Sequence, residues 1–105
     1  MPHLPETFAA LGDPTRFAIV ERLLENGAMA AGDLQDVADV SAPAISRHLK
    51  VLRLSGLVTQ TIDKQRRIYA VNPEAMGAIN TWMMDHKEFW QTSLDRLAAA
   101  IERIE

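Results

Sequence analysis

Apolar residues recur along the first half of the chain with the three-and-four spacing of helices, switch to alternation near the middle, and return to helical spacing in the C-terminal third. Phe8-Ala9-Ala10-Leu11 is a short apolar segment after Pro5, closed by Gly12. Asp13 then Pro14 reads as an N-cap and a first helical residue, and the helix they open carries Phe17, Val20, Leu23 and Leu24 as a stripe until Asn26-Gly27 stops it. Asp33, Leu34, Val37 and Ala38 predict a short third helix, and Val40-Ser41 a tight turn into a fourth. In that fourth helix, capped by Ser41, Ile45, Leu49 and Leu52 form one stripe while Pro43, Arg47 and Lys50 fall on the opposite side, so one face packs and the other is free. After Ser55-Gly56 the period becomes two across Leu57 to Ile62 and again across Arg67 to Val71, with a charged stretch between, which predicts a β-hairpin. Asn72-Pro73-Glu74 opens a last helical region running nearly to the end, with a candidate break near Asp85-His86.

This order predicts a mainly α fold with a small β-hairpin wing, a winged helix-turn-helix, in a single domain over residues 1–105. The recognition helix spans 41–54, the wing 57–71, and a long C-terminal helical region for dimerisation 73–104. At 105 residues a lone domain leaves much of its surface uncovered, which favours pairing with a second copy. Met76, Ile79, Trp82, Met83, Phe89, Trp90, Leu94, Leu97, Ile101 and Ile104 supply more apolar area than one helix needs to cover a small core. The alternatives for this region are core packing, above all for Trp82, and a helix-helix dimer interface to which Phe8 and Leu11 contribute.

The formal charge of −3 argues on its own against a partner as acidic as DNA, but its distribution reverses that. Between Ser41 and Arg67 six basic side chains, Arg47, Lys50, Arg53, Lys64, Arg66 and Arg67, stand against Asp63 alone. That unit carries +5 and leaves −8 on the remainder. A basic turn-helix-hairpin on an acidic chain suits double-stranded DNA: Ser41, Ala42, Pro43, Ser46 and Arg47 occupy the end of the helix that meets base edges. Lys50 and Arg53 then lie nearer phosphate, and the hairpin tip, Lys64 to Arg67, is placed to press on an adjacent backbone or minor groove. Because neighbouring strand residues point to opposite sides, Arg67 could instead turn into the sheet while Arg66 faces outward. The competing reading of the basic unit is a winged-helix protein-interaction module without specific DNA binding.

These residues resemble the ArsR/SmtB-type winged helix repressors. The likeness is carried by Leu11-Gly12-Asp13-Pro14-Thr15-Arg16, by Gly32-Asp33-Leu34, by Val40-Ser41 with Ile45-Ser46-Arg47-His48-Leu49-Lys50-Val51-Leu52, by Gly56-Leu57-Val58 and by Arg66 to Tyr69, over about residues 5 to 72. The resemblance implies a homodimeric, operator-binding repressor released by an inducer that the sequence does not name, with the first and last helices in the dimer contact. Thiolate sensors of that family carry Cys where this chain has Ala30 and Gly32. Its zinc sensors carry Asp-x-His and His-x-x-Glu on the last helix, whereas Asp85 is followed two residues on by Lys87 and no His lies beyond His86. Neither metal site can form from these residues, and no cofactor is called for.

His48 falls inside the recognition-helix motif, where contact with DNA and packing support are both open. His3, Asp85, His86 and Glu88 are the groups from which a minor zinc site would be assembled, though a plain surface accounts for them better. An enzyme is not expected: there is no glycine-rich phosphate loop and no close-set nucleophile and base. The chain has no cysteine, no signal-peptide pattern and no apolar run long enough for a membrane, so a cytoplasmic protein without membrane contact is expected.

Overall fold

Three helices begin where a side chain, Asp13, Ser41 or Asn72, accepts one of their first free N–H groups. In the computed structural model, which describes residues 3–104, α1 (Leu4–Leu11) starts with Pro5 in its first turn. α2 (Pro14–Asn26) is capped by Asp13, whose carboxylate accepts the Arg16 backbone N–H at 3.0 Å. It stops at Gly27, where φ is 79° and the N–H returns to the Leu23 carbonyl at 2.9 Å. Met1, Pro2 and Glu105, which the sequence reading includes in the domain, lie outside the described residues.

Two elements differ from expectation. Met29–Ala30 forms a short strand, β1, too brief to show any alternation. The third helix is a 3₁₀ helix over Ala31–Val37, and Ala38, expected within it, is extended. The 3₁₀ form suits so short a piece, and the Gln35 amide ties its end to the turn by donating to the Val40 carbonyl at 2.9 Å. Ser41 then caps α3 (Ala42–Leu54) by accepting the Ala44 N–H at 3.3 Å.

Ile45, Leu49 and Leu52 of α3 are buried with Ile19, Val20 and Leu23 of α2, Leu34, and Leu57, which form the core. Leu57, expected to begin the wing, lies just outside it. It is fully buried, and its carbonyl accepts the Asn72 N–H at 2.8 Å. The wing itself is β2 (Val58–Asp63) and β3 (Arg66–Val71), antiparallel across a two-residue turn at Lys64-Gln65, and β1 pairs with the far edge of β3 to give the order β1-β3-β2. Lys64 holds the turn with φ at 61°, a left-handed conformation usually left to Gly or Asn.

Asn72 closes the wing and opens α4 (Pro73–Asp85). Its side chain accepts the Glu74 N–H at 3.1 Å and donates to the Gly56 carbonyl at 2.9 Å, so the ends of α3 and β3 are held together. Ala75, Met76 and Ile79 pack on the core, and then packing ends: every residue from 81 to 104 is exposed. The helix breaks at His86, and α5 (Lys87–Ile104) continues as an arm. The molecule measures 61 × 31 × 22 Å with a radius of gyration of 17.6 Å, where about 13 Å is usual for this length. Its accessible surface is 7459 Å², against roughly 5,900 Å² for a folded monomer of this size.

Candidate nucleic-acid interface

The orientation of α3 is set by a polar joint among the first three helices. The Arg16 guanidinium donates through Nε to the Ala10 carbonyl in the last turn of α1 at 2.8 Å, and its Nη1 lies 3.3 Å from Nδ1 of His48 on α3. Arginine only donates, so this contact is a hydrogen bond in the tautomer whose Nδ1 carries no proton. The Asp13 carboxylate stands 3.8 Å from the same ring nitrogen, and its pKa is lowered chiefly by the Arg16 backbone N–H that it caps. His48 therefore turns its Nδ1 toward Asp13 and Arg16, with its side chain 23% exposed.

Ser46, Arg47, Lys50 and Arg53 face away from that joint and form one wall of a groove of about 330 Å³, whose other wall is Gln60, Arg67 and Tyr69 of the wing. The strand register explains the second wall. Val58 and Val71, Gln60 and Tyr69, and Ile62 and Arg67 are direct cross-strand partners, so all six side chains share the sheet face that packs on α3. Val58 and Tyr69 are buried, Gln60 is half-buried, and Arg67 is exposed, so the face grades from core to solvent toward the wing tip. Arg66 sits on the reverse face and donates through Nη2 to the Asp33 carboxylate at 3.3 Å. The alternation does separate the two arginines, but it is Arg67 that shares the groove with the helix. Lys64 stands at the wing tip, and Ser41, Ala42 and Pro43 are exposed at the start of α3. Among the described residues, no carboxylate pairs with Arg47, Lys50, Arg53 or Arg67, so the groove presents four uncompensated cations.

A second surface lies on the arm. Phe8 of α1 meets Trp82 edge-on at 5.6 Å between ring centroids, Trp82 lies 6.4 Å from Trp90, and Trp90 packs on Phe89 at 4.9 Å. Trp82 is outside the core at 36% exposure, and Leu94, Leu97 and Ile101 are more than half exposed. Leu11 differs from these, being half-buried against its own core. Along α5, Trp90, Leu94, Leu97, Ile101 and Ile104 recur at intervals of four and three, the spacing of a helix-helix seam. His86, at the break, has Nδ1 2.7 Å from the Trp82 carbonyl. Among the described residues no group of three or more His, Asp or Glu side chains converges to hold a metal ion, and no helix is long and apolar enough to cross a membrane.

Gln60 and Tyr69 were missed as groove residues because register decides them. Their signal was parity: Gln60 is two residues from the apolar Val58 and so shares its face.

Known proteins agree with this architecture. Residues 11–61 match the family described as a helix-turn-helix domain. The chain is 42% identical over 93 residues to the HTH-type transcriptional regulator Rv2034 of Mycobacterium tuberculosis, spanning 89% of this chain and 83% of that protein. It is 32% identical over 102 residues to the arsenical resistance operon repressor of Escherichia coli, spanning 94% and 82%. A crystallised ArsR family transcriptional regulator superposes with a TM-score of 0.75 at 30% identity, covering 84% of this chain and 96% of its own.

Proposed function

Since the chain belongs to the ArsR family of winged helix-turn-helix transcriptional regulators, DNA-binding proteins rather than enzymes, we propose that it is a homodimeric repressor that reads its operator through the groove between α3 and the wing. The observation that carries this reading is the convergence of Arg47, Lys50, Arg53 and Arg67, unpaired with any described carboxylate, on one side of an otherwise acidic molecule. Arg47, near the start of α3, is positioned for the bidentate contact that arginine makes with a guanine edge. Ser41, Ala42, Pro43 and Ser46 line the approach, and Lys50, Arg53, Lys64, Arg66 and Arg67 meet phosphate. His48 serves by bracing α3 from behind.

The dimer contact is the aromatic cluster of Phe8, Trp82, Phe89 and Trp90 continued by Leu94, Leu97 and Ile101. The seam spacing along α5 and roughly 1,600 Å² of surface beyond that of a usual monomer support this contact. A second copy pairing along α5 presents two α3 helices to successive turns of one duplex face. A chain without cysteine cannot form the As–S or Cd–S bonds of a thiolate sensor, and Ala30 and Gly32 stand where such ligands would be. Release of the operator therefore depends on some signal other than a soft metal bound by thiolate.

The test is a mobility-shift titration with the DNA upstream of the chain's own gene and with a random duplex, at two salt concentrations, with and without Zn(II), Cd(II) and As(III). The expected result is selective, salt-sensitive binding that the ions leave unchanged. Arg47→Ala should weaken the operator by ~1 to 3 kcal/mol per half-site while affecting the random duplex less. Absence of duplex binding at low salt would refute the reading.

A further inference from the structure

Among the described residues of the two wing strands Ile62 is the one exposed large apolar side chain, at 71% exposure, whereas Ile68 on the opposite face is half-buried. Its surroundings make that exposure informative. Direct pairing with Arg67 places it on the same sheet face as Gln60 and Tyr69, two positions beyond Gln60, level with the outer end of the groove wall and ~13 Å along the strand from buried Val58. It thus lies outside the protein core, on the line that continues the groove toward the wing tip. Asp63, Lys64 and Arg66 surround the tip, and among the described residues Ile62 belongs neither to the apolar core nor to the side chains packed against it.

An occupant of that face must be polyanionic, to suit Arg67 and the cations of α3, and must also offer carbon surface at a site that a strand tip can reach. The wall of a DNA minor groove does both: phosphates line its rim and deoxyribose C–H groups form its sides. An apolar protein partner would bring carbon surface but leave four cations desolvated against it. We propose that Ile62 is an apolar DNA contact that packs against the sugars of the minor groove beside the half-site read by α3. This inference rests on the DNA-binding reading above. The left-handed Lys64 fits it, because the sharp two-residue turn keeps the tip narrow enough to enter a groove and puts a cation rather than glycine at its end.

A sugar contact displaces water but no counterions, whereas a phosphate contact releases them, and this difference makes the proposal testable. Fluorescence anisotropy with the upstream duplex over a salt series would compare wild type, Ile62→Thr and Arg67→Ala, all as the full chain. Threonine keeps the branched β-carbon that suits a strand, and circular dichroism with a thermal melt checks that the wing side chain was exposed and dispensable for folding. Ile62→Thr should weaken binding roughly 3- to 10-fold with the slope of log affinity against log salt unchanged. Arg67→Ala should lower that slope. Unaltered affinity in Ile62→Thr, or a slope reduced as in the arginine variant, would overturn the assignment of Ile62 alone. Failure of the wild type to bind the duplex would overturn the DNA-binding reading and this inference with it.

Discussion

Replacing Arg16 tests whether the polar joint behind α3 holds the reading head in place. Its guanidinium serves two acceptors from one rigid plane, the Ala10 carbonyl at 2.8 Å and Nδ1 of His48 at 3.3 Å. A charged donor on a partly buried carbonyl contributes about 1.5 to 3 kcal/mol, and the longer contact with the ring nitrogen adds less than about 1 kcal/mol. Arg16→Ala should therefore cost roughly 2 to 3 kcal/mol, a large fraction of the ~5 to 15 kcal/mol that folded domains possess, and lower the melting temperature by ~10 to 20 °C. Arg16→Lys restores the charge but not the planar fork, and its one nitrogen cannot occupy both positions held by Nε and Nη1, so it should recover less than half the deficit. Urea denaturation followed by far-ultraviolet circular dichroism, at one fixed protein concentration, gives the midpoints. A midpoint in Arg16→Ala equal to that of the wild type would show that the three helices are oriented by apolar packing alone, and full recovery by lysine would show that the planar fork is dispensable.

The two wing arginines should separate in a salt series. Arg67→Ala is expected to reduce the slope of log affinity by about 1 for each phosphate it no longer neutralises, and Arg66→Ala by less than half as much because Asp33 already shares its charge; equal slopes would refute this partition. Trp90→Ala or Leu97→Ala should raise the dimer dissociation constant at least roughly 30-fold, as interface anchors do, which sedimentation across a concentration series would measure. The depressed pKa of Asp13 means that its charge favours the folded state at neutral pH and that this contribution disappears as pH falls from the ordinary value of 3.8 through the lower folded one. Asp13→Asn retains the cap and lacks the charge, so wild type and variant should converge in stability at acid pH; a gap independent of pH would contradict the assignment.

The elements that could be read from the sequence are those fixed by neighbours in the chain. Asp13-Pro14, Ser41 and Asn72-Pro73 announce helix starts because a cap acts over three residues, and all three do cap in the structure. The stripe Ile45, Leu49 and Leu52 is equally local, as is the break at His86. What escaped depends on partners distant in sequence. β1 exists only because β3 offers it an edge, and two residues carry no period. The direction of His48 depends on where Arg16 stands, 32 residues away. The parity that gives Arg67 to the groove and Arg66 to Asp33 follows from the length of the turn, since a slip of one residue would exchange them.

The arm has a consequence for gene dosage. None of the eighteen residues of α5 is buried by its own chain, and a helix of that length has only marginal stability in water. In the dimer proposed above its order is supplied by a second copy, so the fraction of chains competent for the operator would depend on how many chains the cell contains. While such dimers are scarce, operator occupancy would rise as the square of total protein rather than in proportion to it. A gene silenced by such a product would shut down over a narrower range of abundance than a monomeric repressor permits. In such a dimer the exposed stripe of α5 would set a threshold, and small changes in its apolar residues would move the cellular concentration at which repression begins while leaving the groove between α3 and the wing untouched.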